Sequence, residues 1–147
     1  MSKTAGQKIT FHPIAQDTEP TVCFYDVKVH AGFPCPVDDA YLSQPIDLNK
    51  ELISNPAATY IVRVIGDSMC DEGIEEGDLL VVDRSIYPTE KNICVVMYEG
   101  EFALKRIIQK NDKILLMAGN SKYAPIELDD PSQLQLFGTL VWVMKKK

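Results

Sequence analysis

Ser68 stands in Gly66-Asp67-Ser68-Met69, directly after the apolar run that ends at Ile65. A serine in a Gly-flanked turn at the end of a strand projects its hydroxyl from a rigid edge. Such a turn also leaves backbone N–H groups outside the sheet ladder, where they can hold an oxyanion. A serine nucleophile needs a base. The only histidines are His12 and His30, both in an irregular N-terminal stretch, so a Ser-His-Asp triad has little to stand on. A lysine can replace the imidazole if its neutral amine is available. Lys105 lies within Phe102-Ala103-Leu104-Lys105-Arg106-Ile107-Ile108, and strand alternation places it on the face of Ala103 and Ile107. A lysine on an apolar strand face is a conflict between residue and pattern, and such conflicts often mark functional sites. Each residue also has an ordinary reading. Ser68 suits a simple turn, and Lys105 is long enough to reach water at the strand edge.

Other chemistries find less support. Cys23, Cys35, Cys70 and Cys94 form no C-x-x-C pair, so structural zinc and thioredoxin-like exchange lack their ligand spacing. All four read as small, partly buried thiols. A Cys70–His30 pair has nothing to make the thiol electropositive. The acidic run Asp67, Asp71, Glu72, Glu75, Glu76 and Asp78 invites calcium but places Met69 and Glu72 where an EF-hand needs a ligand and a glycine. It reads as a solvated loop. No phosphate-cradling glycine motif occurs. Neither a metal nor a cofactor is expected.

The elements that must position these residues follow from composition and pattern. The chain has 147 residues, is 46% hydrophobic and 24% charged, and carries a formal charge of −6. That is one globular domain. It is too acidic for DNA or RNA binding as its main task, which needs a basic footprint. Runs such as Ile93–Tyr98 are far shorter than the roughly 20 residues of a membrane span. No apolar stretch follows Lys3 and Lys8, so no secretory signal is read and a cytoplasmic location is expected. Residues 1–31 hold Pro13, Pro20 and balanced charges. They read as an irregular arm without a core of its own, too short for a helix-turn-helix.

Gly32-Phe33-Pro34-Cys35-Pro36 is turn-rich. Asp47 caps an expected helix over Leu48–Ser54, ended by Pro56. Strands are expected at Tyr60–Ile65, Leu79–Val82, Ile93–Tyr98, Phe102–Ile108, Ile114–Ala118 and Leu134–Met144, the last interrupted at Gly138. Glu99-Gly100 and Asn111-Asp112 supply turns. The fold class is mostly β.

Several of these stretches together resemble the LexA/UmuD family of self-cleaving serine–lysine proteins. Gly66-Asp67-Ser68-Met69, Gly73-Ile74, Gly77-Asp78-Leu79-Leu80 and Val82-Asp83 are similar to its serine motif. Gly100-Glu101-Phe102-Ala103-Leu104-Lys105-Arg106 is similar to its lysine strand, at a suitable interval of 37 residues from Ser68 to Lys105. Ala31-Gly32 resembles its cleavage site. Gly32-Phe33-Pro34-Cys35-Pro36, Ile46-Asp47-Leu48-Asn49 and Ala58-Thr59-Tyr60 resemble its UmuD branch.

The resemblance implies a compact LexA/UmuD-like C-terminal peptidase domain, residues 32–147, preceded by an arm, residues 1–31, that self-cleavage removes. It implies Ser68 as nucleophile, Lys105 as general base, and backbone N–H groups of Asp67 and Ser68 as the oxyanion site. The scissile bond is then Ala31–Gly32, with Val29 as an apolar anchor and no catalytic part for His30. The implied setting is the SOS response to DNA damage, with cleavage stimulated by a RecA filament on single-stranded DNA. The implied product is a homodimeric accessory subunit of a UmuC-like Y-family DNA polymerase, acting without direct DNA contact. A non-cleaving dimeric interaction module of the same fold is the alternative. A signal-peptidase-like enzyme would need a membrane anchor, and a truncated repressor would need a DNA-reading helix pair in residues 1–31.

Overall fold

A computed structural model of the chain describes residues 10–14, 22–25 and 42–147. Two compact units divide the chain: Met1–Ile14 with Asn55–Lys147, and Ala15–Ser54. In the smaller unit, strands β2 (Val22–Tyr25) and β3 (Leu42–Ile46) pair antiparallel. Helix α1 follows at Leu48–Leu52, with the Asp47 carboxylate accepting the Asn49 N–H at 2.9 Å. The expected cap is therefore in place, and the helix is shorter than the expected 48–54. Ile53 is already extended. One turn of helix closes few hydrogen bonds and has little tendency to propagate.

The larger unit is built on one eight-stranded antiparallel sheet. Its strands are β1 (Thr10–Pro13), β4 (Thr59–Arg63), β5 (Leu79–Asp83), β6 (Cys94–Tyr98), β7 (Glu101–Lys110), β8 (Lys113–Met117), β9 (Ile126–Leu128) and β10 (Leu134–Met144). Their spatial order is β1-β4-β5-β10-β6-β7-β8-β9. The mostly β fold is thus as the sequence implies. Both expected turns are two-residue hairpins. Tyr98 pairs with Glu101 across Glu99 and Gly100, whose φ values are 51° and 77°. Those paired positive φ angles match the right-handed twist of the flanking strands. Lys110 pairs with Lys113 across Asn111 and Asp112, of which Asn111 alone has a positive φ, 54°. The interruption in β10 is a register shift between Leu136 and Gly138. A Cβ on Gly138 would lie 2.6 Å from Val82 Cγ1, so the close approach of β5 requires glycine there.

One correction concerns the arm. Thr10–Pro13 pairs with β4 from Thr10↔Arg63 to Pro13↔Tyr60, so part of residues 1–31 is a strand of the main sheet. Phe11 packs on Phe102 and Phe137, with ring centroids 4.7 and 4.4 Å away. Four residues carry too little periodicity to be read as a strand; the pairing partner lies some fifty residues away, and only the fold supplies it. The core beneath consists of Val62, Val64, Met69, Ile74, Leu80, Val82, Val95 and Leu104, all buried. Met69 and Ile74 belong to the loop that carries Ser68, and Leu104 precedes Lys105 in β7. The core therefore anchors both stretches directly.

Candidate functional site

The Ser68 loop is closed at its base and pinned from inside. Val64 N–H donates to Asp78 O at 3.0 Å, and Gly77 N–H donates to Val64 O at 2.9 Å. Met69 and Ile74 are each 1% exposed, and Ser68 is 6% exposed. A buried residue flanked by a core side chain has little freedom to drift. A single 3-10 turn, Cys70–Glu72, follows and ends at Gly73 with φ +77°, a left-handed cap that suits glycine.

Lys105 comes from the middle of β7, opposite Cys94 of β6. Cross-strand partners share a face, so the buried Cys94 thiol and the Lys105 side chain lie on the same side of the sheet. Lys105 is 9% exposed. Burial depresses its amine below the ordinary lysine range, because an ammonium loses hydration there. Lys105 is buried on a face it shares with half-buried Ala103 and Ile107, and it does not reach water at the strand edge.

Two sets of contacts join the Ser68 loop to the lysine strand. The first is a two-pronged ion pair. Arg106 Nε and Nη2 donate to Glu72 Oε1 and Oε2 at 3.0 and 2.7 Å, and Arg106 Nη1 donates to Lys91 O. Hydrogen bonding to Arg106 holds the Glu72 carboxyl below its usual range. The pair fixes position as well as charge, since fork and carboxylate match in geometry. Glu72 lies four residues after Ser68, and Arg106 follows Lys105.

The second set comes from residues 119–123. Gly119 O accepts the Asp71 N–H at 2.7 Å, and Gly119 N–H donates to Met69 Sδ at 3.0 Å. Asn120 Nδ2 donates to Asp67 O at 2.8 Å. Ser121 N–H donates to Asp71 Oδ2 at 3.0 Å. Tyr123 Oη donates to Asp67 Oδ1 at 2.8 Å, and its ring centroid lies 5.9 Å from Lys105 Nζ. Asp67, the neighbour of Ser68, and Lys105 thus meet the same aromatic side chain.

The acidic loop is not simply solvated, as its composition implies, because most of its carboxylates have protein partners. Asp67 takes Tyr123, Asp71 takes Ser121, and Glu72 takes Arg106. Asp78 Oδ2 accepts the Glu75 N–H and Lys145 Nζ at 2.9 and 2.7 Å. Among the described residues, no three His, Cys, Asp or Glu side chains gather as a metal site. The cysteine expectation needs correction at two positions: Cys70 is exposed and Cys94 is fully buried. Neither is activated. Desolvation pushes Cys94 up to about 11. Desolvation and the Asp71 carboxylate raise Cys70. His12 lies exposed on β1, opposite Ile61. Val29, His30, Ala31 and Gly32 lie outside the described residues.

Sequence reasoning missed Asn120, Tyr123 and the Glu72–Arg106 pair. A neutral amide or phenol in a loop fifty residues from its partner carries no local signal of its role.

The Peptidase S24-like family model matches residues 23–141. The chain belongs to the Peptidase S24-like family. This S24-like chain is 38% identical over 136 residues to Protein SamA of Salmonella typhimurium, covering 90% of the chain and 94% of SamA. Protein MucA of Escherichia coli is 34% identical over 121 residues, 82% of each. The LexA repressor of Shewanella piezotolerans is 41% identical over 91 residues, 61% of this chain and 44% of the repressor. The resemblance to the LexA/UmuD family is borne out, and the S24-like family is one of peptidases. Among the described residues, no helix is long and apolar enough to cross a membrane.

Proposed function

We propose that this S24-like chain is a self-cleaving serine–lysine peptidase of the UmuD type. The observation that carries the reading is the burial of Lys105, with a depressed amine, on the Tyr123 ring whose hydroxyl holds the neighbour of Ser68. Lys105 Nζ takes the proton of Ser68 Oγ as the oxygen attacks the Ala31 carbonyl carbon. Backbone N–H groups of Asp67 and Ser68 hold the oxyanion. The C–N bond then breaks, the amine of Gly32 receives the proton, and Ala31 remains as an ester on Ser68. Water hydrolyses that ester with Lys105 again as base. A small residue at Gly32 lets a tight turn bring the carbonyl close.

The cut releases residues 1–31 and leaves 32–147 as a homodimeric core. In this reading a RecA filament on single-stranded DNA stimulates the reaction in the cytoplasm during the SOS response. The product then serves a UmuC-like Y-family polymerase in error-prone translesion synthesis. Kinship with SamA, MucA and a LexA repressor supports that setting.

Intact-mass spectrometry tests the reading. The purified protein is incubated at pH 7, at pH 10, and with RecA, single-stranded DNA and a slowly hydrolysed ATP analogue. Products ending at Ala31 and beginning at Gly32, absent from Ser68→Ala, are expected. An intact chain under every condition would favour a non-cleaving interaction module of the same fold.

A further inference from the structure

Tyr123 is placed where two separately supported parts of the site meet. Its ring stands on the Lys105 side chain, centroid to Nζ 5.9 Å. Its hydroxyl donates to the Asp67 carboxylate at 2.8 Å, one residue before Ser68. Asn120, three residues earlier, holds the carbonyl of the same Asp67 at 2.8 Å. Tyr123 itself is 37% exposed, so core packing does not account for it. The partly exposed ring has Lys105 Nζ over it.

We propose that Tyr123 is a positioning residue with two separable duties: its ring shields the Lys105 amine from water, and its hydroxyl fixes the turn that presents Ser68. The inference rests on the serine–lysine reading and adds a residue to it.

The ring exerts two opposed effects on the amine. An aromatic face attracts an ammonium, which favours the charged form. Covering the amine removes water, which favours the neutral form. At 5.9 Å the attraction is at the outer limit of its range, so it offsets little of the proposed shielding. The depressed amine agrees with that balance. The other groups around the amine do not reverse it. Cys94, facing it from β6, is pushed up to about 11 and stays neutral while the lysine titrates. The Tyr123 phenol is raised by its hydrogen bond to Asp67. Arg106, next along β7, is paired with Glu72. The Asp67 carboxylate is engaged by the phenol.

Two substitutions separate the duties. Tyr123→Phe keeps the ring and removes the hydroxyl. Self-cleavage is expected to slow roughly fivefold, the size of one partly exposed hydrogen bond to a charged group, with no change in the pH midpoint. Tyr123→Ala removes both; its midpoint is expected to rise by about half a pH unit or more toward the ordinary lysine value.

A second readout needs no cleavage. In the Ser68→Ala protein with 13C-labelled lysine, NMR follows the Lys105 Cε titration, assigned by Lys105→Arg. The midpoint is expected to be unchanged by Tyr123→Phe and raised by Tyr123→Ala. Amide exchange at residues 66–69 is expected to speed up in both. An unchanged Lys105 midpoint in Tyr123→Ala overturns the shielding duty. Unchanged exchange in Tyr123→Phe overturns the anchoring duty. If the wild-type protein never cuts itself, the peptidase reading fails, and these two NMR measurements still decide the role of Tyr123.

Discussion

A lysine amine out of water is a poorer ammonium than one in water, and Lys105 is in that position. Its folded-state pKa lies below the unfolded value of 10.5. The folded protein therefore binds fewer protons than the unfolded chain between those two values. Stability contributed by this group rises with pH across that window and is lost below it, where the buried amine must carry charge. Two outcomes follow. Lys105→Met is expected to melt higher than wild type at pH 7, with the difference shrinking toward pH 11, as measured by scanning calorimetry. The same variant is expected to lose self-cleavage entirely, whereas the wild-type rate climbs from pH 7 toward pH 10. A flat rate profile would argue against a lysine base. Lys105 stood out in the sequence because a lysine among apolar strand residues contradicts its pattern, whereas Ser68 in a Gly-flanked turn stood out only through the family resemblance. Tyr123 contradicts no pattern, so nothing in the sequence singles it out.

At the scale of elements, the Ser68 loop is held by a neighbouring loop that approaches through a glycine. A Cβ on Gly119 would stand 2.4 Å from Glu72 Cγ and 3.1 Å from Met69 Cε. Neither atom can retreat easily. Glu72 is fixed by its fork to Arg106, and Met69 is 1% exposed. Gly119→Ala is therefore expected to destabilise the fold by about 1–3 kcal/mol, the usual cost of overpacking. Urea unfolding measures it. Adding Glu72→Ala should recover part of that loss by making room, a coupling that a double-mutant cycle reads directly. Self-cleavage by Gly119→Ala is expected to fall about tenfold or more, because the segment that follows Ser68 would shift. Six strands were legible as short apolar runs between turns, and both hairpins from Glu99-Gly100 and Asn111-Asp112. Missing were β1, β2, β3 and β9, short stretches without the continuous apolar run that marks the equally short β5 and β6. The loop-to-loop contacts were illegible for another reason: they join residues about fifty positions apart.

At the scale of the whole molecule, the strand β1 changes what a cut after Ala31 would do. β1 is the edge strand on β4, and Phe11 lies among Tyr60, Phe102 and Phe137 at centroid distances of 4.4 to 6.4 Å. Half-buried Phe11 contributes less than a fully buried ring, so Phe11→Ala is expected to cost about 1–3 kcal/mol by urea unfolding. While the chain is continuous, β1 is tethered to its partner, and its effective concentration there is on the order of millimolar. A cut between residues 31 and 32 removes the tether and makes the contact bimolecular. After the cut the fragment keeps the four paired residues of β1, the Phe11 ring and the β2–β3 pairing, a small set against an association cost of about 4 kcal/mol or more in lost freedom. The released segment is therefore expected to leave, uncovering the β4 edge and the aromatic seat. Hydrogen exchange before and after cleavage measures this: amides of Thr59–Arg63 that face β1 should exchange faster in the cut protein, while those facing β5 stay protected. Native mass spectrometry should find the core without residues 1–31. A fragment that stays bound at micromolar concentration would mean that the β1–β4 and β2–β3 pairings together outweigh the lost freedom.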